Sequence, residues 1–120
     1  MIDHFNLPVT DLARSTEFYE RVLAVLGARL LHRDGDAVGF GIDQWSFGLA
    51  LTHVPVPRLH LAFHAASREV VDRFHAVALA AGAANNGAPG LRPQYHPDYY
   101  AAFVLDPDGH NLEAVRRRPI

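Results

Sequence analysis

The sequence predicts an α+β fold of two βαβββ modules, their mixed sheets curled into a cup with the helices outside. Two observations predict it. The first is an internal repeat: His4, Phe18 and Leu23 recur as His60, Phe74 and Leu79 at a constant offset of 56 residues. The second is the order of hydrophobic patterns, in which each half reads as a strand, a helix and then a run of hairpin-linked strands. Hairpins following a single helix favour mixed or antiparallel sheets over a doubly wound parallel one.

In the first module, residues 2–9 alternate as a strand does. Thr10 or Asp11 is placed to cap a helix, because a short side-chain oxygen accepts from the free N–H groups of the first turn. Leu12, Ser15, Phe18, Tyr19, Val22, Leu23 and Leu26 keep helical spacing, and Gly27 suits the left-handed residue that ends such a helix. Residues 28–33, 37–42 and 46–52 predict three short strands, the first two joined by the turn Asp34-Gly35-Asp36. Val54-Pro55-Val56-Pro57 is stiff and cannot lie in a central strand. It marks a linker at about 54–58 between module one (about 1–53) and module two (about 59–118) of a single domain spanning 1–120.

The second module repeats the plan. Residues 59–65 predict a strand, Ser67 a cap, and Val70, Val71, Phe74, Val77, Ala78 and Ala81 one helical face, which Gly82 ends. Residues 85–93 hold two Pro and two Gly, which predicts an irregular stretch and a short or distorted strand near 83–86. Strands follow at about 99–106 and 110–116, joined by Asp106-Pro107-Asp108-Gly109.

Composition narrows the function classes. With 49% apolar residues in 120, a real core is expected. Eleven basic against 13 acidic residues give a net charge of −2, too little positive field for nucleic acid to be the main partner. The one basic cluster, Arg116-Arg117-Arg118, reads as a solvated tail. There is no cysteine, so any metal site must use His and carboxylate. No apolar run is long enough to predict a membrane span, and Met1-Ile2-Asp3-His4 lacks the basic region and apolar core of a signal peptide, so the cytoplasm is the expected location.

Alternation puts His4 on a face with Ile2 and Asn6, His60 with Ala62 and His64, and Glu113 with Asn111 and Val115. If the two sheets curl around a common cavity, His4, His60 and Glu113 converge. Buried imidazoles and a carboxylate are costly without partners, and one divalent cation satisfies all three. Two neutral His and a carboxylate, with positions left open, form a ligand set used for Fe(II), Mn(II) or Zn(II) in reactive sites. His64 is a candidate substitute ligand or base. Trp45, Phe47, Arg92, Tyr95, His96 and Tyr99 are candidate pocket residues, although Trp45 and Phe47 also read as core, and Arg92 as a solvated loop charge. His32, His53, His75 and His110 are assigned to turns and surfaces.

The chain resembles the vicinal oxygen chelate superfamily, which includes glyoxalase I, fosfomycin-resistance and bleomycin-resistance proteins and extradiol dioxygenases. The resemblance rests on Ile2-Asp3-His4-Phe5, Val9-Thr10-Asp11-Leu12, Ser15-Thr16-Glu17-Phe18-Tyr19, His60-Leu61-Ala62-Phe63 and the ending Phe103-Val104-Leu105-Asp106-Pro107-Asp108-Gly109-His110-Asn111-Leu112-Glu113. Residues 86–93, with Tyr95, His96, Tyr99 and Tyr100, are similar to a subgroup of small glyoxalase-like proteins without assigned substrates. The resemblance implies paired βαβββ modules, a divalent metal (Zn, Mn, Ni or Fe) held by His4, His60 and Glu113, and a homodimer whose cups are often built from both subunits. The family's fourth ligand is often a Glu near the end of the first module's last strand. Phe47-Gly48-Leu49-Ala50-Leu51 has no carboxylate there, which favours a three-ligand site.

The implied activity is that of a metal-dependent lyase or isomerase acting on a small substrate with neighbouring oxygens; with the fourth carboxylate missing, Glu113, His64 or Tyr99 would have to serve as base. The alternatives are a non-catalytic drug- or metabolite-binding dimer of bleomycin-resistance type, and a dioxygenase or thiol transferase of the same superfamily. Chain length counts against typical extradiol dioxygenases, and neither the basic residues for a phosphonate nor a monovalent-cation loop of the thiol transferases is identifiable.

Overall fold

A computed structural model describes all 120 residues. The chain runs β1 (Phe5–Val9), α1 (Leu12–Val25), β2 (Arg29–Asp34), β3 (Ala37–Gly41), β4 (Trp45–Leu51), β5 (His60–His64), α2 (Arg68–Ala80), β6 (Ala84–Leu91), β7 (Tyr100–Leu105) and β8 (Asn111–Arg116). This is βαβββ twice, an α+β fold as the sequence predicts. Each module closes its own four-stranded mixed sheet, in the orders β1-β4-β3-β2 and β5-β8-β7-β6. The parallel pair in each sheet joins its first and last strands, β1 with β4 and β5 with β8.

The helices start and stop where the sequence says. Asp11 accepts from the Arg14 N–H at 3.1 Å and Ser67 from the Val70 N–H at 3.2 Å. Gly27 and Gly82, at φ of +89° and +100°, turn the chain away after the last helical turn. Each helix lays its apolar face on its own sheet, and the two helices pack on each other. One buried cluster, including Leu7, Tyr19, Phe40, Leu49, Phe74 and Leu112, therefore serves both modules. Neither helix is long and apolar enough to cross a membrane.

A polar clasp fixes one module against the other. The Tyr19 hydroxyl of α1 donates to Asp106 in the turn between β7 and β8, and both are buried. The other Asp106 oxygen accepts from the N–H groups of Asp108 and His110 at 2.9 and 2.8 Å. Asp108 in turn accepts from the Thr10 hydroxyl and its N–H. His110 is fully buried, not at the surface as expected. Its Nδ1 accepts from the Leu59 N–H at 3.0 Å, so its Nε2 carries the proton and faces the Pro8 carbonyl oxygen at 3.3 Å. His75 is likewise buried, with Nε2 2.9 Å from Asn85 Oδ1. Both histidines were read as surface residues because nothing in the local pattern reveals a partner far along the chain.

The stretch 85–93 is the other correction. Most of it belongs to β6, which pairs with β7 through register shifts between Asn85 and Gly87 and between Gly87 and Gly90. Pro89 is tolerated because β6 is an edge strand. Arg92 braces the bulged backbone, donating to the carbonyl oxygens of Gly90 and Ala88 at 2.9 and 2.8 Å.

Candidate functional site

Each helix covers one face of its sheet. The opposite face of the second sheet holds a cavity of about 470 Å³ lined by His60, Tyr95, Tyr99, Phe103, Asn111, Glu113 and Arg117. The parallel register sets its floor. Glu113 stands opposite Ala62 across β5 and opposite Phe103 across β7, and His60 stands opposite Asn111. The small Ala62 leaves Glu113 room beside His60.

Glu113 is 2% exposed, and both its oxygens are engaged. Oε1 lies 3.0 Å from His60 Nε2, and Oε2 accepts from the Tyr99 hydroxyl. His60 Nδ1 lies 3.1 Å from the Asn111 carbonyl oxygen, which can only accept, so Nδ1 is the donor. That leaves Nε2 as a lone-pair nitrogen facing a carboxylate oxygen. Held 3.0 Å apart, the two atoms are placed so that both could serve as ligands to one cation. An imidazole held through Nδ1 by a carbonyl is the usual posture of a metal-ligating histidine.

Burial pushes the Tyr99 phenol above its ordinary value of 10.0, and the hydrogen bond to Glu113 and that residue's charge push it further. Arg117, whose guanidinium carbon lies 5.2 Å from the Tyr99 ring centre, opposes the rise. Tyr99 is thus a donor to Glu113 throughout the neutral range.

His4 lies on the other module. Its Nδ1 is 2.8 Å from Asp3 Oδ1, and its ring packs on Trp45 with centres 4.8 Å apart. A carboxylate on Nδ1 leaves Nε2 free as a lone-pair donor, the same posture as His60. Within one chain, however, no three His, Cys, Asp or Glu side chains gather into a metal-holding group. The structure brings His60 and Glu113 together and leaves His4 apart from them, on the other module.

The remaining candidates divide. Tyr95 and Tyr99 form an edge-to-face pair, centres 5.2 Å apart, in the cavity wall. Trp45 is half-buried beside His4. Phe47 points into the core against Tyr19 and Phe63. His64 is exposed and lines a different, apolar hollow with Phe47 and Phe63. Arg92 is committed to backbone carbonyls and to the Phe103 ring, 5.3 Å away. His96 accepts from the Asp98 N–H in an exposed turn, and Tyr100 turns toward α2, where its hydroxyl donates to Asp72 at 2.6 Å. Sequence reasoning missed Phe103, Asn111 and Arg117 as cavity residues. Alternation along β8 from Glu113 reaches both Asn111 and Arg117, so the signal was present. Phe103 needed the β7–β8 register.

Comparison with known proteins gives a consistent result. A sequence model described as the Glyoxalase/Bleomycin resistance protein/Dioxygenase superfamily matches residues 1–114. Lactoylglutathione lyase of Neisseria meningitidis serogroup A is 31% identical over 126 aligned positions, covering 96% of this chain and 89% of the relative. A crystal structure of a glyoxalase/bleomycin resistance protein from Albidiferax ferrireducens superposes with a TM-score of 0.81 at 30% identity, covering 99% of each chain. The E126Q mutant of the Listeria monocytogenes fosfomycin resistance protein FosX, complexed with Mn(II) and 1S,2S-dihydroxypropylphosphonic acid, shares the fold. Its TM-score is 0.72 at 22% identity, covering 96% of this chain and 88% of that one.

Proposed function

We propose a function from the fact that this chain belongs to the glyoxalase/bleomycin resistance protein/dioxygenase superfamily: a metal-dependent lyase or isomerase of glyoxalase type, acting on a small substrate with two neighbouring oxygens. The observation that carries the reading is the pair of acceptors, His60 Nε2 and Glu113 Oε1, held 3.0 Å apart with the other imidazole nitrogen already committed. A divalent ion fits this donor set. His4 has the posture of the third ligand but stands on the other module, so in this reading a second copy completes the site, with His4 of the partner subunit meeting His60 and Glu113.

A bound divalent ion supplies Lewis acidity toward the substrate's neighbouring oxygens. The chain's own residues supply the rest. Tyr95, Tyr99 and Phe103 wall the cavity. Tyr99 holds the Glu113 carboxylate by Oε2, which leaves Oε1 directed into the cavity. Glu113 is the one carboxylate lining it, and it would accept a C–H proton at Oε1 only with that oxygen released from the ion, since Oε2 is held by Tyr99. Return of that proton to the neighbouring carbon, with the hydroxyl proton passing from one of the two neighbouring oxygens to the other, completes an isomerisation with no oxidant or reductant. His64 lies outside this cavity, which leaves Glu113 as the base of the proposal.

Metal analysis tests the reading. Purified protein is expected to bind one divalent ion per site and to lose it in a His4→Ala, His60→Ala double variant. Full occupancy in that variant would end the metal proposal. The second reading, a metal-free binder, is favoured by the aromatic walls alone. Tight binding of aromatic ligands by protein that takes up no metal would select it.

A further inference from the structure

Asn86 is the extra residue of a β-bulge. Asn85 pairs with Val104 and Gly87 with Phe103, so three residues of β6 face two of β7 and Asn86 has no partner of its own. The bulge sets Gly87, rather than Asn86, opposite Phe103. The Phe103 ring takes the room above it: a Cβ added at Gly87 would lie 2.9 Å from Phe103 Cδ1. The bulge is pinned from Asn85, whose Oδ1 accepts from the Gly87 N–H at 3.0 Å and lies 2.9 Å from His75 Nε2 of α2.

Bulges beside binding sites serve to re-aim a side chain, and this one re-aims Asn86. Its Nδ2 reaches past β7 to β8 and donates to Asn111 Oδ1 at 3.1 Å. Asn111 lines the cavity. Its backbone is already committed, the N–H to the Leu59 carbonyl oxygen at 2.8 Å and the carbonyl oxygen to His60 Nδ1 at 3.1 Å. Only the side-chain amide is left to meet a ligand. An amide without a partner can present either its oxygen or its nitrogen. A donor held against Oδ1 settles the choice and leaves Nδ2 for the ligand.

We infer that Asn86 is a positioning residue for the cavity: by donating to Asn111 Oδ1 it turns the Asn111 amide N–H groups toward the ligand, so the cavity selects molecules that carry a hydrogen-bond acceptor, such as a carbonyl oxygen, at the end beside His60. The wall along β8 then offers a donor at Asn111 and an acceptor at Glu113, two residues apart on one face and about 7 Å from each other. The inference rests on the reading above only in taking this cavity as the ligand site, and no metal enters it.

The test uses two neutral single-ring probes, acetophenone, whose carbonyl accepts, and aniline, whose amine mainly donates. Affinities and the shifts of the Asn111 side-chain amide are measured by nuclear magnetic resonance on the full, metal-free chain. Wild type, Asn86→Asp, Asn86→Ala and Phe103→Ala are compared. Acetophenone is expected to shift the Asn111 amide signals in wild type. Asn86→Asp keeps the shape of the side chain but can only accept, so Asn111 turns its Nδ2 to the carboxylate and its Oδ1 to the cavity. The ratio of acetophenone to aniline affinity is expected to fall about tenfold in this variant and about threefold in Asn86→Ala, where the amide is free to turn. Phe103→Ala is expected to weaken both probes and leave the ratio unchanged, which is also what a merely structural role for Asn86 would produce.

An unchanged ratio in Asn86→Asp and Asn86→Ala overturns the inference, as does failure of both probes to bind wild type or to shift the Asn111 amide. Metal uptake is measured on the same proteins. The expected ratios in a protein that takes up no divalent ion remove the metal reading and leave this inference standing. Metal uptake with unchanged ratios removes only the inference.

Discussion

His60 and Glu113 come from β5 and β8, adjacent parallel strands, and meet with Nε2 3.0 Å from Oε1 while His60 Nδ1 faces the Asn111 carbonyl oxygen at 3.1 Å. A divalent ion bound there would take both atoms as ligands. In Glu113→Gln, metal binding is expected to weaken by about tenfold or more, read by calorimetry. Metal uptake at wild-type affinity in Glu113→Gln places the ion elsewhere.

Tyr99 holds the second oxygen of that carboxylate. Tyr99→Phe keeps the ring between Tyr95 and Arg117 but frees Glu113 Oε2. A divalent probe is expected to bind about tenfold more weakly, with the fold intact by circular dichroism, as for other groups that orient a ligand from behind. Equal affinity in the two proteins denies Tyr99 any part in positioning Glu113.

Arg117 and Phe103 differ in what they bring to the cavity. Arg117 is the exposed cation at its edge, whereas Phe103 lies flat against His60 with ring centres 6.3 Å apart. Arg117→Ala is expected to weaken anionic chelates more than neutral ones of the same shape, by about three- to tenfold at low salt, because the lost attraction is screened by ions. Phe103→Ala is expected to weaken both alike. Titration of oxalate and of a neutral diol into the metal-loaded protein separates the two effects, and an equal response of Arg117→Ala to both ligands removes its role as an anion contact.

The clasp between modules gives an alkaline signature. Burial raises the Tyr19 hydroxyl well above its ordinary value of 10.0, and Asp106 raises it further by charge and hydrogen bond. The folded state therefore binds this proton more tightly than the unfolded state. Its stabilising contribution is complete below about pH 10 and is lost as pH rises toward the folded value. Tyr19→Phe, which leaves a buried carboxylate short of a donor, is expected to cost about 1.5–3 kcal/mol at neutral pH. The gap between the two proteins in thermal melts is expected to narrow from pH 9 to pH 11. A constant gap across that range means the hydroxyl does not keep its proton for the sake of Asp106.

Much of this was legible from side-chain periods and end signals. The helices, their caps at Asp11 and Ser67 and the doubled βαβββ order follow from spacing that needs no knowledge of distant residues. The segment Asn85–Pro93 was misread because its Pro and Gly argue against a central strand, whereas β6 lies at the sheet edge, where bulges and Pro89 cost little. His110 was misread for a related reason: its partners, Leu59 and Pro8, lie 51 and 102 residues away in sequence.

By itself the sequence determined that two histidines occupy equivalent places in a repeat and that Glu113 has no carboxylate counterpart, because a repeat and an absence are both properties of residue order. Only the tertiary structure decided which of these residues meet. Pairing of β5 with β8 brings His60 to Glu113, while the helix-to-helix packing of the modules leaves His4 on a face of its own. It also decided what fills the place of the missing carboxylate. Strand register, which no local pattern encodes, sets Gly48 against Asn6, whose side chain occupies the room a side chain at position 48 would need.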